Sequence, residues 1–190
     1  MRRITFPIFL LAIAVLLGAC HNKQGGEKKK FGSKQKDIIT LYNMADSIYY
    51  KEGRIDSLAF LRFIDKAVAF AKDYPKDEIS PDMLYRAGIG AMIIAKAAET
   101  KEQRATYCKK AIAIFNQFQE TYPEHEKYKY CYYQRGIIYD DILGDTNSAE
   151  DQYRDFINRY PDDPIAQELK EYIKMLGKSD KEIEEMLHLE

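Results

Sequence analysis

Tryptophan is absent from the 190 residues, and cysteine and histidine occur only three times each. His21, His125 and His188 fall in separate segments and no Cys-x-x-Cys occurs, so ligands do not converge as a metal site requires. Glycine (10) and proline (6) are scarce, as in a mostly helical chain, and no glycine-rich loop is present to cradle a phosphate. No histidine stands near a plausible serine or cysteine nucleophile, and the carboxylates are too numerous and dispersed to nominate an acid–base pair. The chain is therefore read as a non-enzyme without cofactor. A formal charge of −1 gives no reason to invoke nucleic acid. With 46% hydrophobic and 31% charged residues, the chain is too apolar for disorder and too charged for several membrane spans. No stretch alternates well enough to be a strand. What the chain does have in quantity is tyrosine, 15 in all.

The first segment is distinct. Arg2 and Arg3 precede an uncharged, largely apolar run from Ile4 to Ala19, too short and wrongly flanked for a membrane span and typical of a secretory leader. Leu17-Gly18-Ala19-Cys20 resembles the lipobox of bacterial lipoproteins. The resemblance implies cleavage before Cys20 and acyl chains, palmitate among them, on its sulfur. More than one chain makes such anchoring durable, since each buried CH₂ contributes about 0.8 kcal/mol. His21 in place of an aspartate leans toward the outer membrane, and the lysine-rich stretch after it toward the periplasmic leaflet.

Residues 20–36 carry six lysines against Glu27 alone, together with Gly25, Gly26, Gly32 and Ser33, which reads as a flexible basic tether. Residues 37–190 hold 29 Asp and Glu against 21 Lys and Arg, a net of −8, so the body is acidic and suits a basic partner surface.

Tyr-Pro recurs at Tyr74-Pro75, Tyr122-Pro123 and Tyr160-Pro161, each time closing an amphipathic run. The expected buried stripes are Leu61, Ile64, Val68, Ala71 and Tyr74; Cys108, Ala111, Phe115, Phe118 and Tyr122; and Ala149, Tyr153, Phe156 and Tyr160, with Ile157 beside them. Each run has an upstream partner: Asp37–Tyr50 turning at Gly53, Pro81–Ala98 breaking near Thr100, and Glu126–Leu143 ending at Gly144-Asp145. Ser80-Pro81 and Asp163-Pro164 look like helix starts, Ser179-x-x-Glu182 like a capping box, and Gly144 and Gly177 like left-handed C-caps. Three hairpins (37–74, 81–122, 126–160), a capping helix over 164–176 and an amphipathic tail over 177–190 around Ile183, Met186 and Leu187 are expected. Cys108 and Cys131 lie fifteen residues before and eight after Pro123. In a symmetric hairpin that is a mismatch of about 10 Å at 1.5 Å per residue, beyond disulfide reach, so both are expected as buried thiols.

The third unit resembles a tetratricopeptide repeat, a 34-residue helix–turn–helix. Tyr132, Gly136 and Tyr139 stand at its first-helix positions, Ala149, Tyr153 and Phe156 at its second, and Pro161 closes it. The second unit matches through Leu84, Gly88, Ala111, Phe115 and Pro123, with a turn about eleven residues longer than the standard. The resemblance covers roughly 37–176. It implies an all-α fold of helical hairpins stacked in a short right-handed solenoid, with first helices lining the concave side.

Five tyrosines lie between 128 and 139 and point around their helix, so they cannot all face one neighbour. Tyr132 and Tyr139 are assigned to the core with Gly136. Two readings are open for Tyr130 and Tyr133: half-buried packing, or a peptide groove shared with Lys129 and Arg135. Tyr85 with Met83 and Met92 forms a second candidate patch. Asp140 and Asp141 read as solvated carboxylates that could also meet a basic ligand.

Lipidation and repeats together resemble the outer-membrane lipoprotein of the barrel-protein assembly machinery, as found in Bacteroidetes-like envelopes, though with fewer repeats than its usual five. That implies a membrane-anchored scaffold facing the periplasm, binding another envelope protein or an extended peptide, and no nucleic acid. The alternative is an adaptor resembling the periplasmic repeat protein of the Tol–Pal system, from which the lipobox and the lack of sustained heptads set this chain apart.

Overall fold

The computed structural model describes residues 32–47, 49 and 55–187. The leader, Cys20, His21, the tether through residue 31, Gly53 and His188 lie outside them. The chain divides into two compact units at Thr40 and Leu41. In the first, residues 32–40 are helical, Ile38 is buried and the Thr40 hydroxyl donates to the Lys36 carbonyl at 2.8 Å. Helix α1 (32–47) thus starts five residues before the expected Asp37, and residues 32–36, read as the end of the tether, form its first turns.

The second unit is an all-α stack of helical hairpins. Its elements are the rest of α1, then α2 (Ser57–Asp73), α3 (Ser80–Ala97), α4 (Lys101–Thr121), a 3₁₀ turn (Glu126–Tyr128), α5 (Tyr130–Ile137), a π turn (Ile138–Leu143), α6 (Thr146–Arg159), α7 (Pro164–Met175) and α8 (Asp180–Leu187). None of the described helices is long and apolar enough to cross a membrane.

The three Tyr-Pro pairs occupy the same place in their hairpins. Tyr74, Tyr122 and Tyr160 end α2, α4 and α6 with φ/ψ of −133°/60°, −129°/59° and −134°/56°. The following proline excludes the α region for the residue before it and offers no N–H, so the helix stops there. Each tyrosine N–H still reaches back one turn, to the carbonyls of Phe70, Phe118 and Phe156 at 2.8, 2.8 and 2.9 Å. The rings of those same pairs sit 5.0, 5.3 and 5.5 Å apart. Three residues past each tyrosine, Asp77, His125 and Asp163 accept from the N–H of Ile79, Lys127 and Ile165. The repeated unit is therefore Phe-x-x-x-Tyr-Pro-x-Asp/His, which closes one hairpin and launches the next.

Inside the hairpins, glycine sets the spacing. A Cβ on Gly88 would lie 2.6 Å from Phe115 Cε1, and one on Gly136 only 2.1 Å from Tyr153 Cε1. Both glycines occupy the same phase of a first helix, where a helix-propensity cost of about 1 kcal/mol is offset by close approach of the second. Tyr42 packs on Phe63 at 5.3 Å to join α1 with α2. The stripes expected on α4 and α6 are buried, apart from their half-buried Tyr122, Ile157 and Tyr160.

Several expectations need correction. On α2 the buried stripe is Phe60, Phe63, Ala67 and Phe70 with Ile64 and Ala71, while Leu61, Val68 and Tyr74 are half-buried. The turn of the second hairpin is not long: Thr100 N-caps α4 with a capping box through Gln103, and the extra residues lengthen α3 and α4 to 18 and 21 residues. Ser80 does not cap α3, whose N-cap is Ile79; its buried hydroxyl donates to the Tyr74 carbonyl at 2.6 Å. Tyr139 is half-buried, and Ile138 fills the core beside it. Asp163 caps α7, Glu182 accepts from the Ser179 N–H, and Gly144 and Gly177 adopt φ of 69° and 74°. Cys108 and Cys131 are separate buried thiols, and burial pushes Cys131 up to about 12.

Candidate protein-binding face

Successive first helices are neighbours. Arg86 on α3 donates to the Tyr42 phenol of α1 at 2.5 Å, and its guanidinium lies over that ring at 4.6 Å. Lys127, just before α5, places its Nζ 5.6 Å from the ring centre of Tyr85 on α3. Tyr172 of α7 donates to Asp140 at 2.5 Å, in the π turn that continues α5. Two clefts open along this face. The smaller, about 260 Å³, lies between α1 and α3, bordered by Tyr42, Asp46, Tyr85, Arg86 and Lys127. The larger, about 410 Å³, lies between α5, its π turn and α7. Tyr133, Tyr153 and Tyr172 wall it, with Ile137, Leu169 and Met175, and Asp140, Asp141, Glu168 and Glu171 supply its polar rim. Both are of small-ligand or side-chain size, the smaller just below and the larger in the lower part of a range of roughly 300–1,000 Å³.

The expected binding residues divide. Tyr133 is half-buried in the larger cleft and Tyr85 in the smaller. Burial pushes the Tyr85 phenol up to about 12. Tyr130 is half-buried against the core built by Tyr132, Tyr153, Phe156 and Leu169. Lys129 is tied into the fold: its Nζ pairs with Asp163 at 2.5 Å and lies 5.1 Å from the Tyr130 ring centre, and the Asp163 bond raises its pKa. It thereby clamps the start of α5 to the start of α7.

Arg135 is not on the groove. It is only 7% exposed, donating from Nε to Gln152 at 2.7 Å and from one terminal nitrogen to Asn116 at 2.9 Å and Gln119 at 2.7 Å. Its guanidinium stacks 4.9 Å from the centre of the Tyr132 ring, and burial lowers its pKa. Arg135 thus bonds α4, α5 and α6 together, holding one hairpin on the next.

Sequence reasoning missed Asp82 and Arg86. Arg86 pairs with Asp82 at 2.6 Å, and Lys127, at the entry to the third hairpin, pairs with the same carboxylate. Burial works to raise the Asp82 carboxyl, but bonds from Lys127 and Arg86 prevail and hold it below the usual range. The i,i+4 spacing of Asp82 and Arg86 was the available signal. The role of Asp140 was half seen: it accepts from Tyr172 and, at 3.5 Å, from Tyr153, while Asp141 meets Lys96 at 3.5 Å. The Asp140 bond and then burial push Tyr172 up to about 12. Among the described residues, no group of three or more His, Cys, Asp or Glu side chains could hold a metal.

The fold and this face define a class, the helical-hairpin repeat scaffolds whose stacked units present an extended surface to other proteins. Residues 130–163 match the family described as Tetratricopeptide repeat, a span running from the first residue of α5 to the N-cap of α7. No curated protein matches the sequence significantly.

Proposed function

We propose that this chain is a membrane-anchored interaction scaffold of the bacterial envelope, whose first-helix face receives an extended segment of another envelope protein. The observation that carries the reading is the alignment of two tyrosine-walled clefts along α1, α3, α5 and α7. Amphipathic rings of this kind give contact area at low entropic cost. The anchor is assigned to Cys20, on the strength of Leu17-Gly18-Ala19-Cys20 behind an apolar leader. Outer-membrane localisation facing the periplasm follows from His21 and the basic stretch after it, and outer-membrane protein assembly is the setting that the family resemblance favours.

Expression of the full chain and of Cys20→Ser in a Gram-negative host, with labelled palmitate and membrane fractionation, tests the anchor. The parent protein should carry label and sediment with outer membrane. Cys20→Ser should lose the label altogether and persist as a larger, unprocessed precursor. Label retained on Cys20→Ser, or a parent protein found unlabelled in the soluble fraction, overturns the anchoring. Detergent co-purification with barrel-assembly components, as opposed to Tol–Pal components, tests the assignment to outer-membrane assembly.

A further inference from the structure

The two clefts contain related chemistry with one difference. The smaller is lined by a tyrosine ring (Tyr42), a carboxylate (Asp46) that accepts from its phenol at 3.0 Å, and a guanidinium (Arg86) 4.6 Å over the ring, which pairs at 2.6 Å with Asp82 outside the lining. In the larger, rings and carboxylates are present, but none of the residues lining it is basic. Asp140 uses the single oxygen Oδ2 for both phenols, Tyr172 at 2.5 Å and Tyr153 at 3.5 Å, which leaves Oδ1 as an acceptor among the described residues. Glu168 lies opposite on α7. Lys96 and Lys174 neutralise Asp141 and Glu171 at the rim, at 3.5 and 2.5 Å, without entering the lining. Asp140 stands in the π turn Ile138–Leu143, where the Gly144 N–H reaches back five residues to the Tyr139 carbonyl, so the backbone is wider there than in an α-helix. Such π turns recur at functional sites.

We propose that this cleft receives the side chain of an arginine carried on an extended segment of the partner protein. The inference rests on the first-helix face being a protein-binding surface and names the partner chemistry that surface selects. A guanidinium matches the cleft on three counts. Its flat face stacks on a tyrosine ring, its planar fork of donors suits a carboxylate such as Asp140, and its weak hydration lets it enter an apolar-walled site. Lysine offers a point charge without the fork or the plane. The net charge of −8 over residues 37–190 draws a basic segment toward the body. The chain's own Arg86 and Arg135 lie over Tyr42 and Tyr132 in the same manner, 4.6 and 4.9 Å from the ring centres.

The test is an NMR titration of the full chain in detergent micelles with Nα-acetyl-arginine amide, and with the neutral isostere Nα-acetyl-citrulline amide. Arginine amide should shift the backbone signals of residues 137–141 and 168–172, and citrulline amide should bind roughly tenfold more weakly or not at all. Asp140→Asn should weaken arginine binding by roughly tenfold. Because Asp140 also anchors two phenols, Glu168→Gln on the exposed side of α7 is the second variant, expected to weaken binding about threefold with the fold intact. Equal binding of citrulline, shifts confined to other residues, or wild-type affinity in both variants overturns the proposal. So does lysine amide binding as tightly as arginine amide. Failure here leaves palmitate labelling at Cys20 and a protein-binding face standing. Failure of those leaves the cleft's preference for arginine measurable on its own.

Discussion

Gly136→Ala should destabilise the protein by about 3 kcal/mol, although alanine is the better helix former by about 1 kcal/mol. The added methyl would sit 2.1, 2.5 and 2.8 Å from three atoms of the Tyr153 ring, where ordinary contact begins above 3.4 Å. That ring is 2% exposed and held between Tyr133 and Tyr172, with centroids 6.3 and 5.8 Å away, and its hydroxyl reaches Asp140. It cannot swing aside without disturbing the larger cleft, so α5 and α6 must separate. A fall in melting temperature of roughly 6–12 °C is expected for a domain of this size. Gly32→Ala is the control, since a Cβ there meets nothing within 4 Å and should be neutral or slightly stabilising. Shrinking the ring with Tyr153→Leu should recover much of the loss in the Gly136→Ala background, a coupling that a double-mutant cycle reads directly. If Gly136→Ala melts within a degree of the parent, close approach at this glycine does not set the hairpin spacing.

Arg135→Ala should cost about 2–3 kcal/mol and also broaden the unfolding transition. Three amide oxygens, from Asn116, Gln119 and Gln152, lose a charged donor, and the Tyr132 ring loses the group stacked on it. No carboxylate pairs with this guanidinium among the described contacts, so truncation strands acceptors rather than an opposite charge, which keeps the loss below that of a broken buried ion pair. Arg135→Lys should recover only part of the stability, because a single ammonium cannot match a fork that spans α4 and α6. Urea titrations followed by circular dichroism measure both effects, the midpoint giving the loss and the slope the cooperativity between hairpins. A surface arginine would give a change within about 0.5 kcal/mol.

Much of this fold is readable in the chain itself. Tyr-Pro marks every hairpin end because proline acts on the residue before it whatever the tertiary setting. Gly88 and Gly136 declare a close approach because a glycine inside a helix demands compensation. The face of α2 was misplaced because that helix is apolar on two flanks. Counting back from Tyr74 through Ala71, Val68 and Ile64 gives a plausible stripe. Aligning Phe70 with Phe118 and Phe156 gives the one that is buried. The short turn before α4 was announced by Thr100-x-x-Gln103, a capping box at the very place where a break was expected. Arg135 was illegible for a different reason. Its burial depends on amides 16 to 19 residues away on two other helices, and an arginine among tyrosines looks like a surface until they are placed. The π turn left no mark beyond Gly144-Asp145, since its wider hydrogen bonds use the same residues as an α-helix, and without it the position of Asp140 could not be foreseen.

The most direct test of a protein-binding face is photo-crosslinking in living cells, from a photoreactive residue placed at Tyr133 and, separately, at Lys109 on α4. Tyr133 lines the larger cleft, whereas Lys109 is exposed on a second helix. Tyr133 should capture a discrete envelope protein and Lys109 should not. Capture from Lys109 with none from Tyr133 would place the partner on the opposite helices and contradict the role assigned to the first.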